Sequence, residues 1–119
     1  MKYCIGIDVG TSGTKTLLMD QAGQVIRTAT AEYPMSQPQN GWAEQDPALW
    51  WDAAVKTLRT VLCDVDPAAV VSVGLSGQMH GLVLLDENNQ VLRPAILWCD
   101  QRTGAEVDDL NRIIGKDRI

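Results

Sequence analysis

Few residues in this chain are suited to a disulfide framework or a structural metal. The 119 residues include three cysteines, Cys4, Cys63 and Cys99, and a single histidine, His80. The cysteine count is odd and no Cys-x-x-Cys pair occurs, which argues against a disulfide framework and against a structural zinc site. A zinc centre or a Ser-His-Asp triad would depend on that one imidazole.

Positive charge and long apolar runs are also scarce. Lys and Arg total 10 against 15 Asp and Glu, which gives a formal net charge of -5. An acidic chain without a basic run is a poor partner for nucleic acid or an anionic membrane. The apolar stretches fall well short of the ~18 residues of a membrane span, and the first one stops at Asp8, unlike a secretory signal. We therefore expect a cytoplasmic protein.

The composition that remains is that of one globular domain, with 45% hydrophobic and 21% charged residues. Three strands joined by short turns open the chain, and short turns require antiparallel neighbours. A further strand, a hairpin around residues 86–90 and a last strand follow the first helix. The predicted strands cover residues 2–9, 15–20, 24–33, 70–75, 81–85 with 91–92, and 95–98.

Two helices complete the predicted α/β domain with a mixed sheet. Asp46 and Pro47 are typical of a helix start, whereas residues 33–47 before them read as a loop. The second helix is predicted to begin with a capping box at Thr103 and Glu106 and to stop at Gly115. Apolar spacing predicts inward faces at Trp50, Ala54, Leu58, Val61 and Leu62, and at Val107, Leu110 and Ile114.

The turn between the first two strands is the first candidate site. It is neither a P-loop nor a dinucleotide fingerprint, because the spacing is wrong and a strand follows it. Gly10 and Gly13 permit close backbone approach, and the hydroxyls of Thr11, Ser12 and Thr14 are donors. Successive N–H groups in such a turn bind anions, and a carboxylate, here Asp8, can hold Mg²⁺ through water. An ordinary hairpin is the open alternative.

Two further clusters follow strands. Residues 74–81 combine three glycines with His80, which suggests a close approach to the backbone. Residues 97–103 contain Trp98, Asp100 and Arg102, and composition favours Trp98 as core. A plain surface ion pair is an equal alternative for Asp100 and Arg102. Because ligands bind outside the carboxyl ends of strands in open α/β sheets, Asp8, His80 and Asp100 are candidates for one cleft. A hydrogen-bonded surface histidine remains the alternative for His80.

Four motifs in this order resemble the amino-terminal part of the FGGY carbohydrate kinases. They are Asp8-Val-Gly-Thr-Ser-Gly-Thr-Lys15, Trp42-Ala-Glu-Gln-Asp-Pro47 with Trp50-Trp51, Gly77-Gln-Met-His-Gly81, and Arg93-Pro-Ala-Ile-Leu-Trp-Cys-Asp-Gln-Arg102. The resemblance implies a ribonuclease-H-like, actin-like ATPase fold with a deep cleft. It also implies phosphoryl transfer from MgATP to a sugar hydroxyl.

The resemblance further implies roles for single residues. Asp8 would lie near the phosphates and the Mg²⁺ ion, which it would hold through water, and would matter for catalysis. The ATP phosphates would be lined by Thr11, Ser12, Gly13 and Lys15. The sugar would be contacted by Met79, His80, Trp98 and Asp100.

Within the family, Gln78-Met79-His80 favours members that phosphorylate D-xylulose over glycerol kinases, which have Gln-Arg-Glu there. Gluconate or another sugar or polyol is the alternative acceptor, and a non-catalytic actin-fold interaction domain is the alternative of another class. The family's catalytic base and its nucleotide domain lie outside residues 1–119. We therefore expect a partial amino-terminal domain that is inactive alone, with a homodimer as a further candidate assembly.

Overall fold

A four-stranded mixed sheet organises the computed structural model, which describes residues 1–119. Its strands lie in the order β3-β2-β1-β5, with β1–β2 and β2–β3 antiparallel and β1–β5 parallel. The predicted mixed sheet is therefore confirmed, and β2 and β5 each begin or end two residues beyond the prediction. The four strands are β1 (Tyr3–Val9), β2 (Gly13–Asp20), β3 (Val25–Glu32) and β5 (Val70–Gly77).

Alternation along β1 and β2 builds the core on one face of this sheet. Ile5 and Ile7 of β1 point to the same side as Leu18 of β2, because Ile5 and Leu18 are register partners. These three side chains pack on Val61 of the first helix. The alternate positions of β1, Gly6 and Asp8, face the opposite side of the sheet.

The first helix, α1 (Pro47–Val61), begins at Asp46 as predicted. The Asp46 carboxylate accepts a hydrogen bond from the Ala48 N–H at 2.9 Å. Val61 is buried as predicted, and Trp50, Leu58 and Leu62 pack against the core as partly buried residues. The other two most deeply buried positions, Ala53 and Thr57, were not predicted. Small side chains at 53 and 57 let the helix lie close to β2, because larger ones would hold the two backbones apart.

A second, two-stranded sheet joins β4 (Glu44–Gln45) to β6 (Ala95–Ile96). The prediction of an unbroken loop over 33–47 is thus wrong at β4. The strand predicted over 95–98 keeps only its first two residues. The predicted hairpin keeps its turn and one bridge, Leu85 to Val91. The Asp86 carboxylate closes that turn by accepting from the N–H groups of Asn88 and Gln90.

The second helix, α2 (Gly104–Ile113), carries no buried residue. Thr103 makes no side-chain capping bond, so the predicted capping box is wrong, whereas the helix does end before Gly115. The predicted inward face is exposed at Val107, Leu110 and Ile114, because no other element of residues 1–119 packs extensively against α2. Neither helix has the length and apolar character that a membrane crossing requires.

A buried hydroxyl pair between β2 and α1 gives a test of this packing. Thr57 Oγ1 donates to the Ala53 carbonyl at 2.8 Å, so Thr16 must be the donor in the 2.7 Å contact between the two hydroxyls. We predict that Thr16→Val costs about 1 kcal/mol in the free energy of unfolding. Thr57→Val should cost more, about 1–3 kcal/mol, because it leaves the buried Thr16 donor without an acceptor. Urea denaturation measures both, and an equal or reversed order would contradict the assignment.

Candidate active site

The turn between β1 and β2 is tied down by short-range backbone contacts. The Gly10 N–H donates to the Gly13 carbonyl at 2.9 Å and closes the turn. A Cβ atom at Gly13 would lie 2.7 Å from the Ala31 carbonyl oxygen of β3, so only glycine lets the turn sit this close to the neighbouring strand. The predicted close approach is confirmed at this position.

Two consecutive backbone donors of the turn stay free. The N–H groups of Thr11 and Ser12 donate to no backbone acceptor, and the Ser12 side chain is exposed beside them. The Thr14 hydroxyl, by contrast, is buried and lies 3.1 Å from the Tyr33 hydroxyl. The prediction that Thr14 offers an open donor is therefore wrong, because Thr14 points to the α1 side of the sheet.

An open concavity of about 440 Å³ lies on the sheet face opposite α1. Asp8 lines it beside its register partners Lys15 on β2 and Ser76 on β5. The glycines at positions 6 and 74 contribute no side chain to its lining. Asp8 and Lys15 are exposed and take part in none of the four ion pairs of the chain. A free carboxylate and a free ammonium thus face solvent within one hollow.

His80 lies in a different concavity, at the end of β5. That hollow is lined by Val9, Trp50, Gln78 and His80 among others, and holds about 200 Å³. His80 has a φ of 64°, in the left-handed region, and its imidazole is exposed. Met79 next to it is exposed as well. The single imidazole therefore belongs to an irregular segment just beyond β5, as predicted, and not to the apolar core.

Trp98 presents its indole to the turn. Its side chain is 57% exposed, so the composition-based expectation of a core residue is wrong. The indole Nε1–H donates to Thr11 Oγ1 at 3.0 Å. The structure therefore brings together Trp98 and Thr11, one from the predicted sugar set and one from the predicted phosphate set.

Asp100 is committed to a buried charge cluster. Its side chain is 3% exposed and accepts from the Ala43 N–H at 2.8 Å. Arg102, 13% exposed, donates to it through Nε at 2.9 Å and through Nη2 at 2.7 Å. Arg102 also reaches Glu44 at 2.8 Å and stacks 3.7 Å from the centroid of the Trp42 ring. The alternative of a plain surface ion pair is excluded, because Glu44 and Trp42 cover the pair.

These contacts change the proton affinity of the pair. Hydrogen bonds from Arg102 hold the pKa of the Asp100 carboxyl well below its ordinary value of 3.8. The hydrogen bond to Asp100 raises the pKa of the Arg102 guanidinium in turn. Both groups are thus charged at neutral pH. The predicted single cleft for Asp8, His80 and Asp100 does not form, since Asp100 lies in this cluster and the other two line separate hollows.

Several residues around the turn were not identified from the sequence. The Tyr33 hydroxyl donates to the Gly10 carbonyl at 2.6 Å, and burial raises the pKa of Tyr33. The Gln45 Nε2 donates to the Thr11 carbonyl at 2.7 Å, and Gln78 Oε1 accepts from Thr11 Oγ1 at 3.1 Å. The sequence gives only a weak indication of these residues. Gln45 and Gln78 lie within the recognised motifs, but they are uncharged and no characteristic spacing marks them as site residues.

Comparison with known proteins identifies the domain. The model described as the FGGY family of carbohydrate kinases, N-terminal domain, matches residues 3–119. The chain belongs to this family. It is 40% identical over 119 residues to the xylulose kinase of Staphylococcus xylosus, which aligns to all of this chain and to 25% of the relative. The chain thus spans about a quarter of the length of the curated relatives it matches.

Solved structures of FGGY kinases share the fold. The xylulose kinase of Rhodospirillum rubrum superimposes with a TM-score of 0.85 at 34% identity, covering 93% of this chain and 23% of that one. The gluconate kinase of Lactobacillus acidophilus superimposes with a TM-score of 0.90 at 32% identity, covering 96% of this chain and 23% of the gluconate kinase. The predicted ribonuclease-H-like, actin-like ATPase fold of this amino-terminal part is confirmed.

The buried charge cluster predicts a pH-dependent contribution to stability. Because the pKa of Asp100 is lowered in the folded state, its stabilisation is present above the ordinary carboxyl pKa and is lost as the pH falls toward the lowered one. We expect Asp100→Asn to lower the melting temperature at neutral pH. The difference in melting temperature between the wild type and Asp100→Asn should become smaller as the pH drops below about 4.

Melting curves recorded between about pH 3 and pH 7 test this expectation. Asp109→Asn is the matched control, because Asp109 forms an exposed ion pair with Arg112 at 3.4 Å, and such pairs contribute little. If the difference in melting temperature between the wild type and Asp100→Asn stayed constant over this pH range, that result would contradict the coupling of Asp100 to Arg102.

Proposed function

We propose that the full-length gene product carrying residues 1–119 transfers a phosphoryl group from ATP to a hydroxyl of D-xylulose, giving D-xylulose 5-phosphate. The observation that supports this most is the turn between β1 and β2, where two free N–H groups lie beside the hollow of Asp8 and Lys15. Phosphoryl transfer needs positioned donors and charge neutralisation more than covalent chemistry from the protein.

On the phosphate side, the chain supplies neutral and cationic donors. In this proposal the N–H groups of Thr11 and Ser12 bind phosphate oxygens, since consecutive free amides form a concave anion site. The exposed Ser12 hydroxyl and the Lys15 ammonium add to them. Gly13 contributes by admitting the close backbone approach that shapes the turn.

Magnesium fits this site as an ion carried largely by the nucleotide. No group of three or more His, Cys, Asp or Glu residues that could hold a metal is present in residues 1–119. Mg²⁺ commonly keeps several waters and binds one or two carboxylates together with substrate phosphates. Asp8, exposed and unpaired, is the carboxylate available for that role, through water. When bound, the ion would neutralise charge on the transferred group.

On the sugar side, the proposal uses the segment after β5 and the Trp98 indole. His80 and Met79 are exposed and free to meet a ligand. The exposed Trp98 ring offers an apolar face to a polyol. For Asp100 a direct contact with the sugar remains a prediction, and its bonds to Arg102 and Ala43 support a role in holding the Trp98 segment.

Two acceptors have specific support. The curated relatives at 37–46% identity are xylulose kinases, which favours D-xylulose. Gluconate is the second candidate, because a gluconate kinase superimposes with a TM-score of 0.90, the same value as a xylulose kinase of Lactobacillus acidophilus. A coupled ADP-release assay of the full-length gene product with D-xylulose, gluconate and glycerol decides between them. Turnover with none of the three would contradict the kinase proposal and favour a non-catalytic interaction domain.

The role of Asp8 can be tested by removing its charge. We expect Asp8→Asn to lower kcat by roughly a hundredfold or more, because the carboxylate helps to hold the ion that neutralises the transferred group. Binding of the sugar should change little. Asp52→Asn is the control, since Asp52 is an exposed carboxylate on α1 without an ion pair. Near-normal turnover of Asp8→Asn in the same assay would exclude this role.

The role of His80 is best tested with a replacement residue that adopts the left-handed backbone conformation of this position. Its φ of 64° disfavours most side chains, so His80→Gly removes the imidazole without adding strain. We expect a loss of about 1–3 kcal/mol in kcat/KM for the sugar, the range for an unpaired or missing hydrogen bond. The KM for ATP should hardly move. Equal losses for both substrates would indicate a role in folding instead.

A further inference from the structure

We propose that Gln45 is a positioning residue that aims the Ser12 N–H at the phosphate of the bound nucleotide. The inference rests on the proposed function and concerns the same turn. It starts from the planarity of the peptide bond. The chain has no cis peptide bond, so the carbonyl and the N–H of each peptide unit point in opposite directions. Whatever anchors a carbonyl of this turn therefore also sets the direction of the N–H in the same unit.

The two carbonyls of the units in question are both anchored from the protein side. The Gly10 carbonyl, paired with the Thr11 N–H, accepts from the Tyr33 hydroxyl at 2.6 Å and from Gln78 Nε2 at 3.4 Å. The Thr11 carbonyl, paired with the Ser12 N–H, accepts from Gln45 Nε2 at 2.7 Å. Both N–H groups are thus turned away from these anchors, and neither has a backbone acceptor.

The orientation of the Gln45 amide is fixed by its surroundings. An indole N–H can only donate, and the Trp50 indole donates to Gln45 Oε1 at 2.9 Å. The oxygen of the amide must therefore face Trp50, which leaves its nitrogen for the Thr11 carbonyl and, at 3.3 Å, for the Pro34 carbonyl. Gln45 is 2% exposed, so water does not compete for these contacts.

A second indole fixes the other half of the arrangement. Trp98 donates to Thr11 Oγ1 at 3.0 Å. Because Gln45 Oε1 can only accept, the Gln78 nitrogen must face it, at 3.3 Å, and Gln78 Oε1 is left to accept the single hydrogen of the Thr11 hydroxyl, 3.1 Å away. The Thr11 hydroxyl is consequently committed to the protein, and Thr11 serves a phosphate through its N–H and not through its side chain.

Gln45→Met tests the proposal, because methionine keeps the length of the side chain and removes both amide groups. We expect the KM for MgATP to rise about tenfold and kcat to fall roughly 10- to 100-fold, as for a small misplacement of a binding group. The KM for D-xylulose should stay within about twofold, because Gln45 has no hydrogen bond to Met79, His80 or Trp98 and reaches the segment after β5 only through Gln78. Gln24→Met is the control, since Gln24 is an exposed glutamine in the turn after β2.

A purely structural role for Gln45 would give a different result. Gln45→Met would then melt at a lower temperature while both KM values and kcat at 25 °C stayed at the wild-type level, and that result would overturn the proposal. Tyr33→Phe gives an independent check, because it removes the hydrogen bond to the Gly10 carbonyl. This variant should likewise raise the KM for MgATP and leave the KM for the sugar unchanged.

Failure of the proposed function is separable from failure of this inference. If the wild type phosphorylates none of the sugars, isothermal titration with MgATP and with inorganic tripolyphosphate still measures how tightly the turn binds phosphate. A dissociation constant about tenfold weaker for Gln45→Met would support the positioning role on its own. Equal binding by wild type and variant, or no binding of either probe by the wild type, would overturn it.

Discussion

The antiparallel pairing of β1 with β2 is the constraint on which the rest of this domain depends. Ile7 lies opposite Thr16 and Asp8 lies opposite Lys15, so one register sends the apolar residues to α1 and the charged ones to the other face. A slip of one residue would bury the Asp8 carboxylate and expose the core. The hydrophobic contact of β1 with α1 thus also holds the functional groups in place.

The sequence predicts this part of the molecule well because local chemistry decides it. Alternation specifies β1 and β2, the glycines specify the turn, and Asp46 specifies the start of α1. Predictions fail where the partners are distant in sequence. The β4–β6 pair joins Glu44 to Ile96, more than fifty residues apart, and no local pattern at either strand announces the other.

In the candidate site, too, some residues can be identified from the sequence and others only from the fold. Charged residues such as Asp8 and Lys15 can be identified from type and position, since the family motifs single them out. The neutral amides that shape the turn cannot, because a glutamine is equally common on an exposed surface. Asp100 illustrates a third case: its carboxylate looks like a surface group in the sequence, and only the fold brings Arg102, Glu44 and Trp42 around it.

The close approach of Gly13 to β3 also limits how this domain can vary. A Cβ atom there would meet a backbone oxygen, which cannot move aside as a flexible side chain can. Gly77, where a Cβ atom would lie 2.9 Å from the Val9 carbonyl oxygen, is restricted in the same way. The two positions border the turn on either side of β1. The turn between β1 and β2 is therefore bounded by backbone atoms on both sides, and a change in its shape requires a shift of the neighbouring strands.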